Sequence, residues 1–302
     1  MVLLFEQIES NPSSTVASES VDSRGALSSN ASPLVTISQL TIRADVTGAP
    51  LVNNVSLSVA CGGTLGIVGE SGSGKSLTCR ALLGILPAGV SVSSGKIDFD
   101  GIDIRTASRS QWQALRGRRI ASVFQDPASY INPSITVGKQ LEEVLKATLG
   151  LRRAERRSRA AELLTAIGLR DAERVRHQYA HELSGGMLQR VLIAMAIAAE
   201  PDLLIADEAT TALDVTVQAE VLALLEELRI SHNLTLILVS HDLAVVSAVC
   251  DHIVVFRNGE VIEEGTSTDV LTRPQHPYTR ELIRGHQRYG LERILNGAPV
   301  PL

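Results

Sequence analysis

Two glycine-rich stretches, GESGSGKS at 69–76 and LSGG at 183–186, stand far apart in one chain of 302 residues. The first is built for phosphate chemistry. Gly69, Glu70, Ser71, Gly72, Ser73, Gly74, Lys75 and Ser76 fit the pattern G-x-x-x-x-G-K-[ST]. The glycines let backbone N–H groups wrap an anion. Lys75 brings a point charge to the β- and γ-phosphates of a nucleotide, and Ser76 offers a hydroxyl to Mg²⁺. In LLIADE (203–208) an apolar run ends in two acids, a costly placement unless a cation or a water uses them. Asp207 suits Mg²⁺, and Glu208 suits orienting or deprotonating the attacking water. His241, after LTLILVS, suits contact with a γ-phosphate, and Gln125 follows RIASVF; either residue by itself is more often structural or solvated. In LSGG, Ser184, Gly185 and Gly186 open an apolar helical run, an arrangement that presents free N–H groups to an anion. Taken alone, Ser184 reads as a helix N-cap.

The elements that must position these residues follow from hydrophobic periodicity. The runs 51–59, 64–68, 119–124, 203–206 and 234–239 read as strands. Ile253–Phe256 and Val261–Ile262, joined by Asn258-Gly259, read as a hairpin with a type I′ turn. Helices are expected at about 75–83, 137–149 and 155–167, the second with Val137, Leu141, Val144, Leu145 and Leu149 on its apolar face. Another helix carries Val217, Val221, Leu224, Leu225 and Leu228 on one face. Polar residues collect at the C-terminal ends of the strands, which is the ligand crevice of an open α/β sheet. The mostly helical stretch 126–200 interrupts the strand-rich parts and reads as an inserted subdomain.

Composition narrows the classes. Hydrophobic residues make up 44% and aromatics 3%, so a sizeable core must come from Leu, Val, Ile and Ala. A net charge of −5 argues against a binder of nucleic acid that relies on a basic surface. The Arg-rich stretch LRRAERRSRA (151–160) reads as a solvated helical face. Cys61, Cys79 and Cys250 form no CxxC pair, which argues against a metal or disulfide framework and for three small, semi-buried side chains. No apolar run approaches the roughly 20 residues of a membrane span, and the first residues lack the basic start of a signal peptide. Residues 1–32, rich in Ser, Asn and Glu, read as a disordered tail.

In order, GESGSGKS, Gln125, LSGGMLQR, LLIADE, TALD (211–214) and His241 resemble the ATP-binding cassette (ABC) family over about 34–285. The resemblance implies a P-loop NTPase (RecA-like) core with an inserted helical subdomain, a cassette domain at 33–275 and a short C-terminal extension at 276–302. It implies ATP and Mg²⁺ as cofactors, with Ser76, Gln125 and Asp207 at the metal. Glu208 would be the base, and His241 and Gln125 would position the γ-phosphate and the water. It also implies why there are two glycine-rich loops: cassettes pair head to tail, and Ser184, Gly185, Gly186 and Asp214 act in trans on the nucleotide held by the partner. The implied partners are a second, unlike ATPase subunit, two integral membrane permease subunits and an extracytoplasmic binding protein, with no nucleic acid. The implied place is peripheral, on the cytoplasmic face of the bacterial membrane. Two departures stand out. LTIRADVTGAP (40–50) has no aromatic to stack on adenine, with Ala44 near the usual place, and Ala209 stands where Pro is usual. QDPASYINPSITVG and RPQHPYTRELI look like the peptide and nickel importer ATPases. KSLTCRALLGILPAGV (75–90) and GHQRYGLERIL (285–295) look most like the nickel-import ATPases. Nickel or a metal chelate is therefore the expected cargo. A di- or oligopeptide importer is the alternative, and a non-transport cassette ATPase of DNA repair or translation is the alternative of another class.

Overall fold

The computed structural model describes residues 33–210 and 213–287. The expected N-terminal tail, Thr211, Ala212 and residues 288–302 lie outside the described residues. In chain order the strands and helices begin with β1 (Pro33–Ala44), β2 (Pro50–Ala60), β3 (Thr64–Gly69), α1 (Lys75–Leu82), β4 (Val90–Phe99), β5 (Ile102–Asp103), α2 (Arg109–Leu115) and β6 (Ile120–Val123). Then come α3 (Pro127–Tyr130), α4 (Val137–Leu149), α5 (Arg153–Ala166), α6 (Ala172–His177) and α7 (Gly185–Ile197). The chain closes with β7 (Leu203–Asp207), α8 (Val215–His232), β8 (Thr235–Ser240), α9 (Leu243–Val249), β9 (His252–Arg257), β10 (Glu260–Thr266), α10 (Ser267–Thr272) and α11 (Pro277–Gln287).

A six-stranded sheet in the order β10-β9-β3-β8-β7-β6 forms the centre, parallel except at β10. Strands covered on both faces read as unbroken apolar runs, and β3, β7 and β8 are buried at every position. Successive residues face opposite sides. Leu203 and Ile205 enter one core, while Leu204 and Ala206 enter the other. The two cores are filled mainly by Leu, Val, Ile and Ala, with Phe99 and Phe256 the largest fully buried side chains. The hairpin turn is as expected: Asn258 and Gly259 both have positive φ, 51° and 83°.

A second sheet was not anticipated. β2, β1, β4 and β5 form a four-stranded antiparallel sheet whose apolar face packs on one side of the central sheet. Only β2 of its strands shows clear alternation. β1 pairs irregularly, with register shifts around Ile37–Leu40 and a left-handed Gln39, so its two-residue period is broken. β4 is only half exposed through VSVSSG, where Ser91, Ser93 and Ser94 face solvent and no residue is fully buried.

The helices α3 to α7 lie between β6 and β7 and constitute the helical subdomain, packed on the opposite core. In α4, Val137, Leu141 and Leu145 are fully buried. Burial of each such side chain stabilises by about 1.5–3 kcal/mol. Leu149, expected on the same face, is 45% exposed because the helix ends there at a left-handed Gly150. α5 starts at Arg153 rather than 155, where Glu155 bonds back to the Arg152 amide. Its arginines are largely at the surface, with Arg159 paired to Glu162 and Glu200. Cys79 and Cys250 are buried, but Cys61 is exposed in the turn after β2, contrary to the semi-buried expectation.

Candidate active site

Register gathers most of the expected residues on one edge of the parallel sheet. Val123 lies beside Ala206, Asp207 beside Val239, and Val68 beside Ser240. The segments that leave β6, β7, β8 and β3 are therefore neighbours. They carry Gln125, Glu208, His241 and the 69–76 loop respectively.

The loop between β3 and α1 is held by its own backbone. Gly69 has φ 149°, and a Cβ there would stand 2.2 Å from the Phe256 carbonyl oxygen of β9. Gly74, at φ 104°, is the residue that turns the loop into α1. Both positions need glycine. Gly259 N donates to Ser73 O at 3.0 Å, so the β9–β10 turn clasps the loop from outside. Glu70, Ser71 and Gly72 are exposed at its rim.

Lys75 is 3% exposed. Its Nζ donates to Gly69 O and to Glu70 O, both at 2.8 Å. Burial lowers its pKa, against the pull of Glu208 and Asp207. Ser76 Oγ donates to Asp207 Oδ1 at 2.9 Å. Burial also pushes the Asp207 carboxyl up, against that hydrogen bond and the charges of Arg80 and Lys75. A hydroxyl beside such a carboxylate is a hard-oxygen donor set, and it fits Mg²⁺, which takes one or two protein ligands and completes its shell with phosphate oxygens and water. The loop fits phosphates: Ser73 Oγ is buried without a hydrogen-bond partner and Lys75 has only carbonyls as partners, so an incoming anion gives both a use.

A cleft of about 250 Å³ opens beside these groups, lined by Ser76, Gln125, Asp207 and Glu208 together with Arg80 and Tyr130. Glu208 adopts a left-handed backbone, φ 50°, and its N–H donates to Val239 O at 2.9 Å. That conformation costs of order 1–3 kcal/mol in a non-glycine residue, and it turns the chain off β7 at the cleft. Ala209 behind it is buried. His241 is exposed at the end of β8, next to the site by register but not part of the cleft wall.

Ser184, Gly185 and Gly186 stand elsewhere, at the start of α7. Ser184 Oγ accepts from Met187 N at 3.3 Å, so it is an N-cap. Asp214 caps α8 in the same way, accepting from Val217 N at 3.0 Å. The two helix starts lie side by side: a Cβ on Gly186 would come within 2.5 Å of Val217 Cγ1. Ser184 and Gly185 are exposed, and none of this group lines the cleft.

Sequence reasoning missed Arg80, Phe124, Ser129 and Tyr130 in the cleft wall. Phe124 and Tyr130 stack at 5.3 Å, bracketing Gln125. QDPASYINPS carries this tyrosine, but only the fold of α3 turns it back on the residue before Gln125. Tyr278 was missed too; its hydroxyl accepts the Glu70 N–H at 3.1 Å.

A protein-family profile described as ABC transporter matches residues 52–211. The chain is 46% identical over 233 residues to the dipeptide transport ATP-binding protein DppD of Haemophilus influenzae, an alignment covering 77% of this chain and 71% of that protein. It is 42% identical over 250 residues to the metal-staphylopine import system ATP-binding protein CntD of Staphylococcus aureus, covering 83% of this chain and 92% of the relative. Among solved structures it is similar to the ATP-binding cassette MJ0796 in a dimeric post-hydrolysis state bound to ADP and Pi. The TM-score there is 0.67 at 29% identity, covering 77% of this chain and 98% of that one.

Proposed function

The chain belongs to the ABC transporter family, and from that premise we propose that it is the ATP-hydrolysing subunit of a bacterial importer of dipeptides or other short peptides. It is a transport-coupled ATPase, and cassettes of this kind dimerise. The observation that carries the catalytic reading is the convergence of the 69–76 loop, Gln125, Glu208 and His241 at one sheet edge.

In this reading the loop amides, Ser73 and Lys75 bind the phosphates of ATP. Ser76, with Asp207 behind it, would hold Mg²⁺, which would supply positive charge to the bound phosphates. Glu208 takes a proton from the attacking water, Gln125 in the same cleft lining orients that water, and His241 meets the γ-phosphate. Ser184, Gly185, Gly186 and Asp214 lie outside their own cleft, which supports their use by a partner cassette. There the N-terminus of α7 would face the other subunit's γ-phosphate. An apolar groove of about 310 Å³, lined by Ile85, Gly117, Ala121, Val144, Leu192 and Met195, supports docking of a membrane subunit. Among the described residues no helix is long and apolar enough to cross a membrane, so the span in this reading comes from other chains.

Peptide cargo rests on the dipeptide-transport relative at 46% identity. A metal chelate is the second reading, favoured by the metal-staphylopine relative. Free nickel, the first expectation from residues 75–90 and 285–295, has less support than either, and most of the second stretch lies outside the described residues. The test is uptake of a labelled dipeptide, of Ni²⁺ and of a metal–opine chelate in cells lacking this chain, rescued by the native protein or by Lys75→Ala. Loss of dipeptide uptake alone, restored only by the native protein, is the expected result. Loss confined to the chelate or to free Ni²⁺ transfers the assignment to that cargo.

A further inference from the structure

The stretch RPQHPYTRELI served only to mark a resemblance, yet it delivers a side chain to the phosphate loop. Glu263 of β10 accepts the backbone N–H of Gln275 at 2.7 Å and of His276 at 3.0 Å, which fixes the approach to α11. Tyr278 N then donates to His276 Nδ1 at 3.1 Å. The Tyr278 ring is 3% exposed and lies under the guanidinium of Arg257, 4.6 Å from the ring centroid. Its hydroxyl reaches Glu70 N.

The peptide group that Tyr278 touches is the one Lys75 also uses. Gly69 C=O and Glu70 N–H belong to one planar trans unit, and they point in opposite directions. On one side the carbonyl accepts from Lys75 Nζ; on the other the N–H donates to Tyr278 Oη. Rotating that plane to lose one bond also spoils the other. Hydrogen bonds linked through a peptide polarise one another in the same sense. Glu70 O, the second seat of Lys75, belongs to the next peptide unit.

We propose that Tyr278 is a positioning residue for nucleotide binding, which holds the Gly69–Glu70 peptide plane and through it places the Lys75 ammonium at the phosphates. The proposal rests on the assignment of the 69–76 loop as the phosphate site. It makes the segment after β10 part of the nucleotide-binding apparatus, though that segment touches no phosphate.

The test uses the full chain and its Tyr278→Phe variant, which keeps the ring under Arg257 and deletes one oxygen. Equilibrium binding of MgATP and MgADP is measured together with amide hydrogen exchange at Glu70. Loss of the Glu70 N–H bond, along with the hydroxyl's bond to the Glu70 side chain, predicts about three- to tenfold weaker binding of both nucleotides, faster exchange at Glu70, and a melting temperature close to native. Native-like affinity in the variant, while the native chain binds normally, overturns the proposal and leaves the loop assignment standing. So does weaker binding without faster exchange at Glu70. Failure of the native chain to bind either nucleotide overturns both. Tyr278→Trp, which keeps a large ring but not the hydroxyl, is expected to match the Phe variant; native affinity there refutes the role of the oxygen.

Discussion

Lys75→Ala separates what the lysine does for the fold from what it does for the nucleotide. In the free protein Nζ holds two carbonyl oxygens at 2.8 Å from a site 3% exposed. Two charge-assisted bonds of about 1.5–3 kcal/mol each are lost, but so is the burial of an ammonium, which costs several kcal/mol. The lowered pKa of Lys75 says that burial outweighs the neighbouring carboxylates. The terms nearly cancel, and the nucleotide-free variant should lie within roughly 2 kcal/mol of native. Binding has no such offset. Losing one charge-assisted contact to phosphate weakens binding roughly 10- to 150-fold. At a nucleotide concentration about 100 times the native Kd, linkage stabilises the native chain by about 2.7 kcal/mol. At the same concentration the variant should gain only about 0.3–1.4 kcal/mol. Urea unfolding of both proteins, with and without a slowly hydrolysed ATP analogue and Mg²⁺, measures all four values. Equal nucleotide stabilisation of the two proteins would refute the placement of Lys75 at the phosphates. A nucleotide-free loss well above about 4 kcal/mol would mean that its two carbonyl bonds are chiefly structural.

Glu208→Gln should bind ATP normally, lower turnover by about 10²–10⁴-fold and accumulate a closed cassette dimer with its proper partner. Undiminished turnover in a phosphate-release assay would remove Glu208 as base. Gly69→Ala puts a Cβ 2.2 Å from Phe256 O at φ 149°. The strain and overpacking should cost about 2–5 kcal/mol and lower Tm by roughly 5–15 °C in a chain of this size; calorimetry showing an unchanged Tm contradicts the close approach of Gly69 to Phe256. Asp207 has its pKa raised by burial, so its ionisation opposes folding. Its contribution is most favourable below the ordinary carboxylate range and is lost as pH rises through the raised value. Asp207→Asn should therefore gain stability relative to native with rising pH in nucleotide-free protein, while Mg²⁺-dependent ATP binding falls. A stability difference that is flat across that range, read from urea titrations, rejects the buried-charge account.

The parallel sheet was readable because strands covered on both faces leave unbroken apolar runs such as TLGIV and LLIA. LLIA is followed at once by Asp207 and Glu208, and TLGIV by the 69–76 loop. α4 was readable to the residue because its apolar spacing ends at Gly150. The antiparallel sheet was not, since β1 loses its period at Gln39 and β4 has one half in solvent. The motifs named Lys75, Asp207 and Glu208 from type and spacing, and Gln125 only through the resemblance to the family. They could not name Arg80, Tyr130 or Tyr278. Those side chains arrive by tertiary contact, Tyr278 from 208 residues away along the chain.

The Asn258-Gly259 turn closes on Ser73 from one side while Asn53 N holds Gly259 O at 2.7 Å from the other. A phosphate cradle braced in this way has little ordering left to undergo when its ligand arrives. It should greet ADP almost as readily as ATP, because both carry the phosphates that the loop encloses. In the proposed mechanism, telling fuel from spent product would then fall to Gln125, Glu208, His241 and the loop of the opposite cassette. On that reading the braced part of the site would secure the nucleotide, and the timing of the cycle would belong to residues on separate strands and on another molecule.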